Sequence, residues 1–287
     1  MKTAVIVDGN SGISEAEAKK IGLYRVSMPV IIDGEIYYEG ETLTDTQFFA
    51  ALKGGRNVTT SQPSPGEVME VWEQVLASGY DEIVYIPMSS GLSESCSTAK
   101  NLALDYEGKV FVVDNHRISV TQKSAALDAL AMAEKGIPGE EIKRRLEESA
   151  YDSSIYIAVD TLEFLKKGGR VTAAGAALGA VFQIKPILSI QGEKLDAFAK
   201  VRGMKKCEAK MIEAIQKDIR ERFSEEWKLR IMVAGSDLEP ERAEAWRSTV
   251  EAAFPGSSVS YDPLALSASS HIGPGGIGIA VSRVLEV

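Results

Sequence analysis

The chain has 287 residues, of which 45% are hydrophobic and 25% are charged. This length exceeds what one small core fills, so it predicts two domains, or one large α/β unit with a dependent half. The composition is that of a packed globule and excludes a disordered or fibrous protein. There are 32 Lys and Arg against 41 Asp and Glu, and the formal charge of −9 argues against general binding to nucleic acids or anionic membrane surfaces.

The cysteines and the N-terminal residues indicate the cellular compartment of the protein. Cys96 and Cys207 lie far apart, with no Cys or His at metal-ligand spacing around either. This spacing excludes a zinc site and a disulfide framework, and favours small buried apolar groups. The apolar run after Lys2 is too short for a signal peptide, and no stretch is apolar enough over the length of a membrane span. We therefore expect a cytoplasmic protein with reduced thiols, no metal and no membrane insertion.

The first part of the chain alternates apolar runs with helical patterns. Each run ends in a polar loop, as expected for buried strands of a mostly parallel sheet with helices on both faces. Ligands bind such sheets beyond the carboxyl ends of the strands, so we expect the loops at Asp8, Ser89–Ser93 and Asp114 to converge on one crevice. The predicted strands are Thr3–Val7, Glu82–Ile86 and Lys109–Val113, and the predicted helices are Glu15–Lys20, Glu94–Tyr106 and Val120–Lys135.

An antiparallel insertion separates the first two of these strands. Val26–Ile32 and Glu35–Tyr38 flank Asp33-Gly34, a pair typical of a hairpin turn, and we expect the hairpin at a sheet edge or as a cover. Thr59–Pro65 holds five hydroxyl or amide side chains and two prolines. Because proline restricts the backbone, this segment predicts a rigid polar loop before the helix at Val68–Ala77.

The pattern changes near residues 151–154, where helical segments give way to strand pairs. We therefore predict an N-terminal α/β domain over residues 1–152 and a C-terminal α/β domain with a mixed or antiparallel sheet over residues 153–287, with the ligand site between them. Predicted strands are Ile155–Val159, Ile184–Ile190, Leu195–Lys200, Leu229–Ala234, Ser257–Tyr261 and Gly276–Val281, and predicted helices are Glu140–Ala150, Lys205–Arg222 and Glu239–Ala253.

The glycine-rich segment Gly273–Gly278 matches the pattern G-x-G-x-x-G. A dinucleotide site needs a strand before this pattern, a helix after it and an acidic residue about 20 positions on, and only nine residues remain here. The nicotinamide interpretation therefore fails, and the chain also lacks the phosphate-loop pattern that would hold ATP. The glycines allow backbone N–H groups of Gly273 and Gly275 to approach a ligand, or form a plain tight turn.

Several polar residues are candidates on their chemistry. His271 precedes the glycine segment and is either functional or structural. Arg170 follows two glycines and can aim five donors at a carboxylate or phosphate, or cap a helix end as a solvated cation. The serines of residues 89–95 suit an anion at a strand-to-helix junction, or ordinary helix capping. Ser93 with His271 also permits a serine hydrolase or acyltransferase, although the G-x-S-x-G elbow is absent.

Five short motifs follow one another along essentially the whole chain: T-S-Q-P-S-P at residues 60–65, S-S-G-L-S at 89–93, G-G-R at 168–170, V-R-G-M-K-K at 201–206 and H-I-G-P-G at 271–275. In order and spacing they resemble the DegV family of bacterial fatty-acid-binding proteins. The resemblance implies two α/β domains with a long-chain fatty acid buried between them and no cofactor. It further implies a non-catalytic subunit that presents the carboxylate to a separate fatty acid kinase, which makes the acyl phosphate.

The resemblance also assigns roles to residues by position. Glu94 departs from the family, in which glycine is usual after Leu-Ser, so the Glu94 carboxylate beside Ser93 must turn away or tighten ligand selectivity. The fatty-acid carboxylate contacts implied are Thr60, Ser61, Ser93, Arg170 and His271. The contacts implied for the kinase are Arg202, Lys205 and Lys206.

Overall fold

The described part of the chain forms three β-sheets with surrounding helices. The computed structural model describes residues 1–177 and 184–287, and no helix in these ranges has the length and apolar character needed to cross a membrane. The strands are β1 Thr3–Asp8, β2 Tyr24–Val26, β3 Pro29–Ile32, β4 Glu35–Tyr38, β5 Val58–Thr60, β6 Glu82–Ile86, β7 Val110–Val112, β8 Ser153–Ala158, β9 Ile184–Ile190, β10 Asp196–Arg202, β11 Leu229–Gly235, β12 Val259–Pro263 and β13 Ile277–Arg283. The helices are α1 Glu15–Ile21, α2 Asp45–Lys53, α3 Pro65–Ala77, α4 Ser95–Ala103, α5 Ser119–Glu134, α6 Gly139–Glu148, α7 Glu163–Gly168, α8 Ala173–Ala176, α9 Met204–Arg222, α10 Pro240–Ala253 and α11 Leu266–Ile272.

The first sheet is parallel, with strand order β2-β1-β6-β7. Every residue of β1 and β6 is buried, because α3 and α4 cover one face of the sheet and α5 and α6 cover the other. Alternate side chains of β1 divide between the two faces: Ile6 packs against Trp72 of α3, whereas Val7 shares a cluster with Met132 of α5. The predicted parallel sheet with helices on both faces is confirmed.

The insertion after β2 forms a sheet of its own, with antiparallel strand order β4-β3-β5. The hairpin at Asp33-Gly34 is present, but the predicted run from Val26 to Ile32 is divided, since Val26 ends a strand of the parallel sheet and Pro29 begins the small sheet. Thr60 was expected in a polar loop. It instead ends β5, because it pairs with Val30 of β3.

The third sheet has six strands in the order β10-β9-β8-β13-β11-β12. Only β11 and β12 are parallel among its neighbours, so the predicted mixed sheet is confirmed. Along β13, Ile277 and Ile279 face α9 and α10, whereas Ala280 faces the opposite side, toward the loops of the parallel sheet. The third sheet begins at Ser153; the domain boundary between residues 152 and 153 remains a prediction.

Buried polar contacts join the two larger sheets. Arg117, in the loop after β7, is 2% exposed and donates to Ser149 O at 2.7 Å and to Ser282 Oγ of β13 at 2.8 Å. Lys123 of α5 lies 2.6 Å from a carboxylate oxygen of Asp262 in β12. These bonds hold the loop after β7 and the helix α5 against the six-stranded sheet.

Candidate functional site

An apolar cavity lies between the six-stranded sheet and the loops of the parallel sheet. Its atom-free volume, including the mouth, is about 930 Å³. The sheet contributes side chains such as Ile157, and the opposite wall includes Met88 and Leu92, which follow β6. The remaining apolar side chains around it are Met28, Ile118, Val120, Ile155, Leu165, Ile190, Leu195, Ala234, Leu264, Ala268, Ile272, Ile279 and Ala280.

Polar side chains interrupt this apolar lining. All five residues expected to contact a carboxylate line the same cavity: Thr60, Ser61, Ser93, Arg170 and His271. They come from β5 and the loop after it, the loop before α4, the loop after α7, and α11. The fold therefore brings together residues that are widely separated in sequence, and their role in carboxylate binding remains a prediction.

His271 is held between two structural elements. Its Nε2 lies 3.0 Å from Thr60 Oγ1, and its ring packs on Gly168, where an added Cβ would lie 2.0 Å from Nδ1. Burial, with a smaller effect of the Arg170 charge, lowers the pKa of His271 to about 4. The imidazole is therefore neutral at neutral pH, and it can donate or accept a hydrogen bond at Nε2.

Arg170 is oriented by the turn that ends α7. Gly169 has a φ of +69°, a left-handed conformation that suits glycine. The guanidinium then donates from Nε to Leu92 O at 3.2 Å and from Nη1 to Gly168 O at 2.5 Å. These two bonds use two of its five N–H donors, so the same group that links the loops retains donors for an anion in the cavity.

Ser93 lies at the start of α4, which begins at Ser95 rather than at Glu94. Its Oγ accepts a bond from Ser95 N at 3.2 Å. Glu94 is exposed and does not line the cavity, so its carboxylate is turned away from the polar residues there.

The hydrolase interpretation finds no support in this geometry. A catalytic serine needs a bond to its histidine, and that histidine needs an orienting partner. Within residues 1–177 and 184–287, no hydrogen bond joins Ser93 to His271, and the side-chain partner of His271 is Thr60 rather than a carboxylate.

The two glycines expected near a ligand serve the turn after α11. Gly273 and Gly275 both have a φ of +79°. Their N–H groups already donate within the protein, to Ser269 O and Ser236 O respectively, each at 2.8 Å. Neither glycine lines the apolar cavity, so the tight turn accounts for both of them.

The basic residues expected to meet a kinase lie outside the cavity. Arg202 ends β10, and Lys205 and Lys206 occupy the first turn of α9; all three are exposed. They form a basic segment that is separate from the lining of the cavity. Their contact with a kinase remains a prediction.

A second, more polar groove borders the first cavity. Thr60, Arg170 and His271 line both spaces, so these three side chains form the wall between them. In the groove, Arg56 pairs with Asp33 at 2.7 Å, whereas Lys167 donates to the amide oxygen of Asn57 at 2.8 Å. The charged residues around the groove are Lys53, Arg56, Asp160, Glu163, Lys167 and Arg170.

Asn10 is a cavity residue that the sequence did not single out. It follows β1, and Asp8 fixes this loop by accepting bonds from the backbone N–H groups of Asn10 and Met88. The Asn10 amide donates to the Met88 sulfur at 3.0 Å and accepts from Ser267 Oγ of α11 at 2.6 Å. Its position just beyond the carboxyl end of a parallel strand was the available signal.

Neither cysteine belongs to the cavity. Cys96 and Cys207 are buried and free, and burial raises the pKa of the Cys96 thiol to about 12 and that of Cys207 to about 11. A thiol with so high a pKa is a poor nucleophile. In the part of the chain that the structure describes, no cluster of three or more His, Cys, Asp or Glu could hold a metal ion.

Comparison with known proteins places this architecture in a family. The DegV family model matches residues 2–284. A DegV domain-containing protein of Listeria monocytogenes is 31% identical over 283 residues, which cover 98% of each chain. A fatty-acid-binding DegV family protein from Thermus thermophilus is 28% identical, with a TM-score of 0.87 over 99% of this chain and 100% of that one. DegV from Bacillus subtilis, a fatty acid binding protein, is 26% identical, with a TM-score of 0.85 over 99% and 100%. The chain belongs to the DegV family.

Proposed function

We propose that this chain binds one long-chain fatty acid and presents its carboxylate to a separate fatty acid kinase, which forms the acyl phosphate. The observation that carries the proposal is an apolar cavity whose wall includes Thr60, Arg170 and His271. Such a cavity matches a ligand with a long hydrocarbon chain and one anionic end. The fatty-acid binding of the Thermus and Bacillus relatives supports the same ligand class.

The two parts of the ligand contribute differently to binding. Each methylene removed from water contributes about 0.8 kcal/mol, so the acyl chain supplies most of the affinity. A hydrogen bond from a charged or neutral donor to the carboxylate contributes about 1.5–3 kcal/mol, which offsets part of the cost of desolvating that group. Arg170 and the hydroxyls of Thr60, Ser61 and Ser93 would therefore set the orientation of the acid.

The groove next to the cavity supports presentation of the carboxylate to a partner. A carboxylate at the wall of Thr60, Arg170 and His271 would lie beside an open space lined by further cations, including Lys167. The sequence has no phosphate-loop pattern, so ATP would be held by the partner. The exposed basic segment of Arg202, Lys205 and Lys206 would contact that kinase, and the reaction would take place in the cytoplasm.

The ligand can be identified directly. The purified protein is extracted under denaturing conditions for mass spectrometry of its lipids, and delipidated protein is titrated with palmitic acid. We expect one recovered fatty acid per chain and saturable binding of one palmitate. A lipid-free protein that also ignores palmitate contradicts the proposal.

Phosphate transfer needs a separate assay. Palmitate-loaded protein is incubated with Mg-ATP and hydroxylamine, with and without a bacterial fatty acid kinase, and palmitoyl hydroxamate is measured. We expect product only with the kinase, and a large loss of product in the triple variant Arg202→Ala, Lys205→Ala, Lys206→Ala at unchanged palmitate affinity. Product formed without the kinase, or full product in the triple variant, contradicts the assigned roles.

A further inference from the structure

A glycine lies inside the most buried strand of the six-stranded sheet. Gly278 lies in β13, whose residues 277–282 are all buried. It is paired on both sides, with Ile157 of β8 and Ala234 of β11. Its carbonyl also accepts a bond from Trp246 Nε1 at 2.9 Å. Glycine weakens a strand interior and has no side chain to pack, so its presence here needs a reason.

The protein itself does not require glycine at this position. Gly278 is absent from the residues with a positive φ, so its backbone suits any residue. A Cβ added there would meet Tyr156 O at 3.6 Å, Ile157 Cγ1 at 3.9 Å and Ala234 Cβ at 4.0 Å, which are ordinary van der Waals distances. By contrast, a Cβ at Gly276 would lie 2.4 Å from Ile272 Cγ2. A methyl group therefore fits at position 278 in ordinary contact with its neighbours, and no neighbouring atom occupies its place.

The face of β13 on which this Cβ would lie borders the apolar cavity. Gly278 lines it together with Ala234 and Ala280, and the Cβ vector of Gly278 points to the face that carries Ile157 and Ala234. The three small residues are neighbours in the sheet, because Ala234 pairs with Gly278 and Ala280 is two residues further along β13. Larger side chains, such as Ile155 and Ile157, border them on β8. The small residues thus form a depression in the floor of the cavity.

We propose that Gly278 sets the acyl-chain length that the protein accepts, because the methylenes remote from the carboxylate lie in the depression formed by Ala234, Gly278 and Ala280. These three residues line the cavity but not the outer groove, unlike the wall residues Thr60, Arg170 and His271. This inference rests on the proposed function. A close approach of ligand to backbone is a known reason for glycine inside a strand, and the cavity supplies that reason here. The hydrogen bonds of β13 and Trp246 hold the strand in place, so a side chain added at 278 would project into the space of the ligand.

The test measures how binding affinity depends on acyl-chain length when the side chain at position 278 is enlarged. Delipidated wild type, Gly278→Ala and Gly278→Val are titrated with saturated fatty acids of 10 to 18 carbons. The matched controls are Gly66→Ala and Gly66→Val, since Gly66 is exposed and a Cβ there meets nothing within 4 Å. Each methylene displaced costs about fourfold in Kd, so we expect Gly278→Val to weaken binding of the longest acids by about tenfold or more. Binding of the shortest acids and the melting temperature should stay close to wild type.

The outcomes separate this inference from the function on which it rests. A loss that grows with chain length and is larger for Val than for Ala supports it, as does a shift of the co-purified lipid toward shorter chains. Equal losses for all chain lengths, or affinities that match the Gly66 controls, overturn the inference while fatty-acid binding stands. Wild-type protein that binds none of the acids overturns both. Gly278→Ala adds one methyl group at an unstrained position, so it decides the question if the Val variant does not fold.

Discussion

His271 Nε2 lies 3.0 Å from Thr60 Oγ1, although 211 residues separate them in the chain. This contact joins α11 to the last residue of β5 in the small sheet. Both side chains stand between the apolar cavity and the outer groove. The position of the small sheet therefore decides whether the polar wall of the cavity is complete.

Removal of the Arg170 side chain should weaken fatty-acid binding. Arg170→Ala removes a cation that lines the cavity and, on the proposed function, one or more charge-assisted hydrogen bonds to the carboxylate. At about 1.5–3 kcal/mol for such a bond, we expect palmitate affinity to fall roughly ten- to hundredfold. Titration of delipidated protein measures the change, and Ser93→Ala should show a smaller loss. Unchanged affinity in both variants would remove the proposed head-group site.

A methyl group at Gly168 should disturb the polar wall without removing a polar group. Its Cβ would lie 2.0 Å from His271 Nδ1 and 2.7 Å from Cε1, so the ring must move away. We expect Gly168→Ala to break the bond to Thr60 and to lower palmitate affinity severalfold, with Gly66→Ala as the matched control. Histidine NMR signals of the unliganded protein report the displacement. If the His271 signals and the affinity both stay at wild-type values, the wall does not depend on this packing.

The change of the free energy of unfolding with pH should reveal the low pKa of His271. Its pKa of about 4 in the folded protein lies below the value of about 6.5 for an unfolded chain, so the unfolded chain binds more protons between these limits. Stability contributed by neutral His271 is therefore fully present above about pH 6.5 and is lost as the pH falls through 4, at no more than about 1.4 kcal/mol per pH unit. His271→Gln should flatten this slope in urea unfolding at pH 4 to 7. Identical slopes for the two proteins contradict the assigned pKa.

Loss of the buried Arg117 should destabilise the fold itself. Arg117→Leu leaves Ser149 O and Ser282 Oγ without their donor in a buried region, which costs about 3 kcal/mol. Burial lowers the pKa of Arg117 to about 10, so the wild-type side chain is still charged at neutral pH. The exposed Arg144, paired with Glu141 on α6, gives the control, and Arg144→Ala should leave the urea midpoint close to that of the wild type, because solvent screens this pair. Equal urea midpoints for the two variants would show that Arg117 does not stabilise the junction of the sheets.

The alternation of apolar runs with helical patterns was enough to predict the parallel sheet, and the Asp33-Gly34 pair between two apolar runs was enough to predict the hairpin. Local patterns predict elements well when the segment itself determines its conformation, as in the apolar run of β1. The predicted strand Val26–Ile32 is divided between β2, which ends at Val26, and β3, which begins at Pro29. This division depends on which sheet each residue joins, and tertiary contacts decide that. The same holds for β5, whose Thr60 becomes a strand residue only by pairing with Val30.

The helix that carries His271 was missed for a related reason. α11 has seven residues, three of them serines, which favour other backbone conformations, and a helix this short is not stable alone. Tertiary contacts hold this helix in place, since Leu266 is buried in an apolar cluster that includes Val30 of β3 and Phe48 of α2. The residues predicted from chemistry and motifs to contact a carboxylate nevertheless all line the cavity: Thr60, Ser61, Ser93, Arg170 and His271. Asn10 follows a predicted strand, so its position offered a signal, whereas the place of Gly278 in the cavity lining could be recognised only from the structure.

The environment of the bound carboxylate tests the central claim most directly. Palmitate labelled with carbon-13 at the carboxyl carbon is added to delipidated protein, and its NMR signal is compared among wild type, Arg170→Ala and Gly66→Ala. We predict one protein-bound signal, distinct from free palmitate, that moves in Arg170→Ala and keeps its position in Gly66→Ala. Absence of a bound signal, or a bound signal that is unaffected by Arg170→Ala, would contradict the binding of a fatty acid with its carboxylate at this wall.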